Sequence, residues 1–235
     1  MKPTRAIVVG GTSGIGLELV RALLADGVRV AAVGRNFESL EGSEATFFPF
    51  DIQQTSDIPQ AFESLAAALG GLDLLIYCAG VMNPVRIDEF DTQKDQEMIA
   101  VNVTGAVAWM NLAATHFLRT KQGCLVAIGS VAGDRGRQGQ PVYNASKAFL
   151  HAYTESLRNR LARHGVSVVT IKPGPTRTPM TAHHDQKGMM DPVIAARRII
   201  NKVGRNGEFY LSPTHQLIGF IFRHIPGRLM RRIQV

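Results

Sequence analysis

Seven short runs of β-forming apolar residues recur along the chain, separated by longer stretches of helical period, and this alternation limits the possible folds most sharply. The runs fall at 6–9, 28–33, 46–50, 72–77, 124–128, 166–171 and 208–211. Helical patterns lie at 15–26, 57–69, 94–120, 142–163 and 192–203, with a short one after Asn36. Several runs are unbroken Val/Ile/Leu, as parallel strands buried on both faces require. Strand and helix in alternation imply βαβ units with right-handed crossovers. The expected fold is therefore α/β and doubly wound, a seven-stranded parallel sheet with helices on both faces. Residues 1–212 read as one domain and 213–235 as an amphipathic, basic tail. A length of 235 residues, 45% of them hydrophobic, suits one such unit with a substantial core.

Charge and cysteine content narrow the class further. The net charge is +7, and from Ile221 onward Arg223, Arg228, Arg231 and Arg232 are offset by no acid. The aromatics do not interleave with these arginines as a base-stacking surface would need, so no nucleic-acid partner is expected. Two cysteines, Cys78 and Cys124, cannot form a secreted-type disulfide framework, which points to a reducing, cytoplasmic setting. The apolar run at 6–9 is too short for a signal segment.

Three motifs carry chemistry. Gly10-Gly11-Thr12-Ser13-Gly14-Ile15-Gly16 follows the first run and opens a helix. Glycines permit a sharp turn and close backbone approach, and a helix start offers N–H groups to a pyrophosphate; the plainer reading is an ordinary glycine turn. Gly34-Arg35-Asn36 ends the second run without an acid, so Arg35 suits a 2′-phosphate better than a 2′-hydroxyl, unless it is simply solvated. Tyr143 and Lys147 lie four apart, on one helix face. A cation about 4 Å from a phenol contributes roughly 4 kcal/mol at an effective dielectric of 20. That would bring the phenol from about 10 to about 7 and make it a usable acid/base. Ser130 precedes Tyr143 by thirteen residues and ends the fifth run, where open α/β sheets bind ligands. Asn102 is a lone amide in an otherwise apolar helix, either a satisfied core group or part of a proton path.

Asn102, Ser130, Tyr143 and Lys147, together with the G-x-x-x-G-x-G spacing of Gly10, Gly14 and Gly16, resemble the short-chain dehydrogenase/reductase family along almost the whole length. The resemblance implies a Rossmann-type fold and an NADP(H)-dependent oxidoreductase that reduces a carbonyl to a secondary alcohol. Tyr143 would be the general acid, Ser130 would hold the carbonyl oxygen, Lys147 would bind the nicotinamide ribose, and Asn102 would anchor a water. Asp51-Ile52 resembles the pair that contacts adenine, and Ala79-Gly80 the end of an N-N-A-G turn, although Tyr77 and Cys78 replace its asparagines. Pro173-Gly174-Pro175-Thr176-Arg177-Thr178 resembles the P-G-x-x-x-T segment that holds the carboxamide. A small carbonyl or alcohol substrate and a homodimer or homotetramer are implied.

The same resemblance makes 180–190 a substrate lid, where Met180, Met189 and Met190 suit an apolar substrate or serve as core packing. His183 and His184 lack a third ligand at metal spacing, so no metal is expected. The tail's stripe of Leu217, Ile218, Ile221, Phe222 and Ile225 packs on its own domain or a partner subunit, or else contacts a membrane. It also resembles, more loosely, family members that reduce a carrier-linked keto-sugar. Alcohol oxidation and a non-enzymatic NADP(H) sensor are the remaining alternatives.

Overall fold

A computed structural model describes residues 2–36 and 38–231; Arg232 and the last residues of the tail lie outside it. The strands are β1 (Arg5–Val9), β2 (Arg29–Gly34), β3 (Thr46–Pro49), β4 (Leu74–Tyr77), β5 (Gly123–Ile128), β6 (Val166–Lys172) and β7 (Gly207–Tyr210). They form one seven-stranded sheet in the order β3-β2-β1-β4-β5-β6-β7, and all six pairings are parallel. Pro49 can sit in β3 because β3 is an edge strand, where a missing ladder N–H is tolerated.

The helices are α1 (Gly14–Ala25), α2 (Ile58–Ala68), α3 (Thr92–Ile99), α4 (Ala106–Thr120), α5 (Pro141–Leu161), α6 (Pro192–Ile200), α7 (Pro213–His224) and α8 (Gly227–Met230). They divide between the sheet's two faces because strand residues alternate sides. Ile7, Val9, Leu75 and Tyr77 face α2, α4 and α5, burying Phe62, Leu65, Trp109, Phe117 and Leu157. Ala6, Val8, Leu74 and Ile76 face α1 and α6, burying Leu19, Val20, Leu23 and Ile199. Pro192 at the first turn of α6 follows Asp191, whose carboxylate accepts from the Val193 N–H and caps the helix.

The strand order reverses between β1 and β4, and the crevice outside the C-terminal ends of these strands is where such folds place ligands. At the opposite end Asp73 fixes the chain start. Its carboxylate accepts from the N–H and hydroxyl of Thr4 and from the N–H and guanidinium of Arg5. Burial opposes this charge, but Arg5 and Thr4 outweigh it and hold the Asp73 pKa at about 2.

The long helical pattern at 94–120 is one helix, Thr92–Thr120, but it is not α-helical throughout. Between α3 and α4 the backbone takes a π-helical course over Ala100–Gly105, which contains Asn102. The tail docks on the domain mainly through a polar seam, and its apolar stripe is only partly covered. Gly219 is buried close to the Tyr210 hydroxyl and the Asp134 carboxylate, and Arg223 pairs with Asp134 at 2.8 Å. Of the stripe, Leu217, Ile218 and Ile221 stay exposed, as does Phe220 beside it, while Phe222 and Ile225 are half-buried. A polar seam seats this helix because Asp134 attracts the arginine while the missing side chain at Gly219 allows close approach.

Candidate active site

The glycine turn sits directly beyond β1. Gly10 has φ +81°, and a Cβ there would lie 2.5 Å from the backbone of Ala79. A Cβ on Gly16 would fall 1.9 Å from the Gly10 carbonyl oxygen. Both contacts are far inside van der Waals distance, so the tight turn and the helix behind it require glycine. Ser13 precedes α1 in extended conformation, and Thr12 and Ile15 are half-buried beside it. Thr178 packs against Gly14, which brings the Pro173–Thr178 segment to the same crevice. Thr176 is buried and donates to the Gly174 carbonyl at 3.0 Å. Ala79 is buried and Gly80 half-buried across the turn from Gly10. Arg35 and Asn36 are exposed at the end of β2. The space beside Gly34, where a side chain would go, is occupied by Thr12. Asp51 is half-buried in a turn, whereas Ile52 belongs to the core beneath Gly105.

Ser130 follows β5, and its oxygen accepts from the Ala132 N–H at 3.0 Å. Tyr143 and Lys147 project from the start of α5, one turn apart. The Ser130 hydroxyl lies within hydrogen-bonding reach of the Tyr143 phenol. Lys147 Nζ is buried, donates to the Ile128 carbonyl at 3.0 Å and lies 5.7 Å from the Tyr143 ring centroid. Asn102 is clamped at both ends of its amide. It accepts from the Val81 N–H at 2.8 Å and donates to the Val81 carbonyl at 2.9 Å and to Ser146 at 3.1 Å. Both Asn102 and Lys147 border Gly80. The π turn accounts for this: it carries one extra residue per turn and aims the Asn102 amide across the crevice. Ser130, Tyr143, Lys147 and Asn102 are thus gathered at one place.

The electrostatics correct one expectation. Lys147 does not bring the Tyr143 pKa toward neutrality. Burial raises that pKa above the ordinary phenol value, and the opposing pulls come from Ser130 and Arg137. Burial also pushes Lys147 down to about 8. A desolvated ammonium committed to a backbone carbonyl is not the nearby bare cation that the spacing argument assumed.

Residues 4–188 match the short chain dehydrogenase family. The chain belongs to that family. An oxidoreductase of Myxococcus xanthus is 36% identical over 186 residues, covering 75% of this chain and 74% of the relative. A short-chain dehydrogenase from Burkholderia cenocepacia J2315, solved in complex with NADP, superposes with a TM-score of 0.85 at 25% identity, over 99% of this chain and 98% of that one. A further short chain dehydrogenase/reductase family protein gives 0.78 at 30% identity, covering 88% and 94%.

The surroundings of several groups near this site come from tertiary packing. Tyr77, where the family turn has asparagine, is fully buried and donates to the Val101 carbonyl at 2.5 Å, supporting the π turn that carries Asn102. Cys78 is pushed up to about 12 by burial, so it is an inert thiol at neutral pH. His151 continues the α5 face one turn beyond Lys147, a signal the spacing offered. Its ring nitrogen meets the Ser130 N–H at 3.5 Å, and burial beside Lys172 pushes its pKa down to about 4. Below it Asp134 gathers Lys172 at 3.1 Å, Arg223 at 2.8 Å and the Tyr210 hydroxyl at 2.7 Å. Burial works against the Asp134 charge, but these donors hold its pKa below the usual carboxylate range. His215 of α7 lies against Gly174, so the tail borders the crevice at two points. Met190 packs on the core, while Met180 and Met189 are half-buried; His183 and His184 are exposed with rings 4.1 Å apart. Among the described residues, no three His, Cys, Asp or Glu side chains gather to hold a metal.

Proposed function

We propose that this dehydrogenase is an NADPH-dependent carbonyl reductase with Tyr143 as its general acid. The observation that carries this reading is geometric: Ser130, Tyr143, Lys147 and Asn102 are gathered beside the glycine cradle, with Tyr143 and Lys147 one turn apart at the start of α5. Burial raises the Tyr143 pKa above the ordinary phenol value, which suits a proton donor in reduction better than a phenolate base in oxidation. The intact set of Ser130, Tyr143, Lys147 and Asn102 also weighs against a non-enzymatic sensor.

The crevice fits a dinucleotide, since the Gly10 and Gly16 cradle leaves no room for a Cβ and keeps backbone close to a pyrophosphate. Gly10 to Gly16 would hold the phosphates, Asp51 and Ile52 the adenine, and Ala79 and Gly80 the adenosine side. Tyr143 and Lys147 would bind the nicotinamide ribose, with Pro173, Gly174, Thr176 and Thr178 on the carboxamide. Arg35 and Asn36, exposed beside no acidic strand end, favour the 2′-phosphate of NADP(H) over NAD(H). The NADP complex of the Burkholderia protein supports the same choice.

When bound, NADPH supplies a hydride to the carbonyl carbon. Ser130 holds the carbonyl oxygen, and Tyr143 delivers its hydroxyl proton to that oxygen, leaving a secondary alcohol and a phenolate. Lys147 and the clamped Asn102 then lie on the route by which Tyr143 regains a proton. Half-buried Met180 and Met189 support an apolar substrate body. The exposed stripe on α7 supports a homodimer or homotetramer, and the free thiols suit a cytoplasmic setting.

Tyr143→Phe removes the proton donor and one hydrogen-bonding group to the ribose, while Lys147 and the glycine cradle remain. Turnover of a ketone panel with NADPH should drop by more than tenfold, while NADPH affinity falls by no more than about tenfold. Retention of more than about a tenth of kcat would assign the proton to another group. In the parent enzyme the reduction rate should fall as pH rises through about 8, where buried Lys147 loses its charge.

A further inference from the structure

The loop Arg135–Gln140 joins Ser130 to the helix that carries Tyr143. Two of its side chains latch the tail: Arg135 donates to the Ile225 carbonyl at 3.2 Å and Gln138 to the Arg231 carbonyl at 3.0 Å. Arg137, between them, turns instead toward the start of α5. There its one side-chain hydrogen bond among the described residues is a long 3.4 Å approach to the Asn144 amide oxygen, one residue past Tyr143. The Nε of Arg137 is buried without a hydrogen-bond partner, and so is Oε1 of Gln140, whose backbone is held at φ +56°. No ion pair among the described residues includes Arg137. The carboxylate nearest in sequence, Asp134, is committed to Lys172, Arg223 and Tyr210. A half-buried guanidinium that faces the catalytic tyrosine and pairs with no acid is costly unless something else supplies the anion.

We propose that Arg137, supported by Gln140, binds a carboxylate or phosphate group that the substrate carries close to its reacting carbonyl. This rests on the reading that Ser130 and Tyr143 hold that carbonyl. It adds to the apolar substrate body an anionic end on the α5 side of the crevice. Planar, forked N–H groups match carboxylate and phosphate oxygens in pairs, so an arginine fits the role better than a lysine. The approach of Arg137 to Asn144, one residue past Tyr143, puts the bound anion on the side of the crevice from which Tyr143 projects. The latches of Arg135 and Gln138 to the tail fix the loop, so the guanidinium is held in position rather than searching for its partner.

Calorimetric titration of the full chain, saturated with NADP+, tests this with three aryl probes: benzoate, phenyl phosphate and neutral benzamide. At least one anion should bind tenfold or more tighter than benzamide. Arg137→Gln should cut that affinity about tenfold to a hundredfold, the factor carried by a charge-assisted hydrogen bond. Arg137→Lys should recover part of it, and NADP+ affinity should remain that of the parent in both variants. The anion that binds tells carboxylate from phosphate. Equal binding of benzamide and the anions, no binding of any probe, or an unchanged affinity in Arg137→Gln overturns the proposal. Failure of the parent reading shows separately, as a protein that does not take up NADP+ before any probe is added.

Discussion

Asp134→Asn should both destabilise the protein and release its C-terminal helix. The carboxylate is almost wholly buried and holds Lys172, which is fully buried, together with Arg223 and the Tyr210 hydroxyl. Asparagine keeps the shape and part of the hydrogen bonding but removes the charge, leaving two cations with Glu208 as their remaining acid. Breaking a buried ion pair by removing one partner costs about 3–5 kcal/mol. Because Lys172 stays bonded to Glu208 at 2.5 Å, the loss should lie at the lower end, about 3 kcal/mol. For a chain of this size that is a Tm lower by roughly 6–12 °C. Arg223 loses its anchor at the same time, so trypsin should cut after Arg223 and Arg228 faster than in wild type. The folded-state pKa of Asp134 is depressed, so its contribution is complete above the unfolded carboxylate value of about 4 and fades as pH falls. Urea unfolding at pH 7 and at lower pH should therefore show the gap between variant and wild type closing with acid. A loss below about 1 kcal/mol at pH 7, with unchanged proteolysis, would falsify the claim that this cluster seats the tail.

Arg35→Ala should weaken NADPH about tenfold to a hundredfold by fluorescence titration and leave NADH nearly unchanged; equal weakening of both refutes the 2′-phosphate role. Asp73→Asn should cost about 1–2 kcal/mol at pH 7, discounted for partial solvent screening, because Thr4 and Arg5 lose their shared acceptor. That difference should shrink from about pH 5 downward and be gone near pH 1, below the native value of about 2; a gap as large at pH 2 as at pH 7 contradicts it. Paired Leu217→Ser and Phe220→Ser should lower the oligomeric state in light scattering while the parent stays in the supernatant with anionic vesicles. Vesicle binding by the parent that the pair abolishes would give the stripe to a membrane instead.

Local pattern carried much of this protein. Strand runs bounded by turn residues, the glycine turn and the four-residue step from Tyr143 to Lys147 are short-range features, and period and spacing specify them before any packing occurs. Parallel strands buried on both faces announce themselves as unbroken Val/Ile/Leu, which is why the sheet could be read from composition and order. Contacts between distant segments were another matter. The π turn that aims Asn102 depends on Tyr77 reaching Val101 and on Gly105 packing over Ile52, so no window of sequence contains it. The proton affinity of Tyr143 came out opposite to the spacing argument, because spacing sets which groups are near while burial sets what a charge costs. The tail's helix was legible from its stripe, but its docking face was not. Hydrophobic period marks which residues are apolar; only the tertiary structure decided that a buried carboxylate, gathered from residues 134, 172, 210 and 223, would seat it through the polar side.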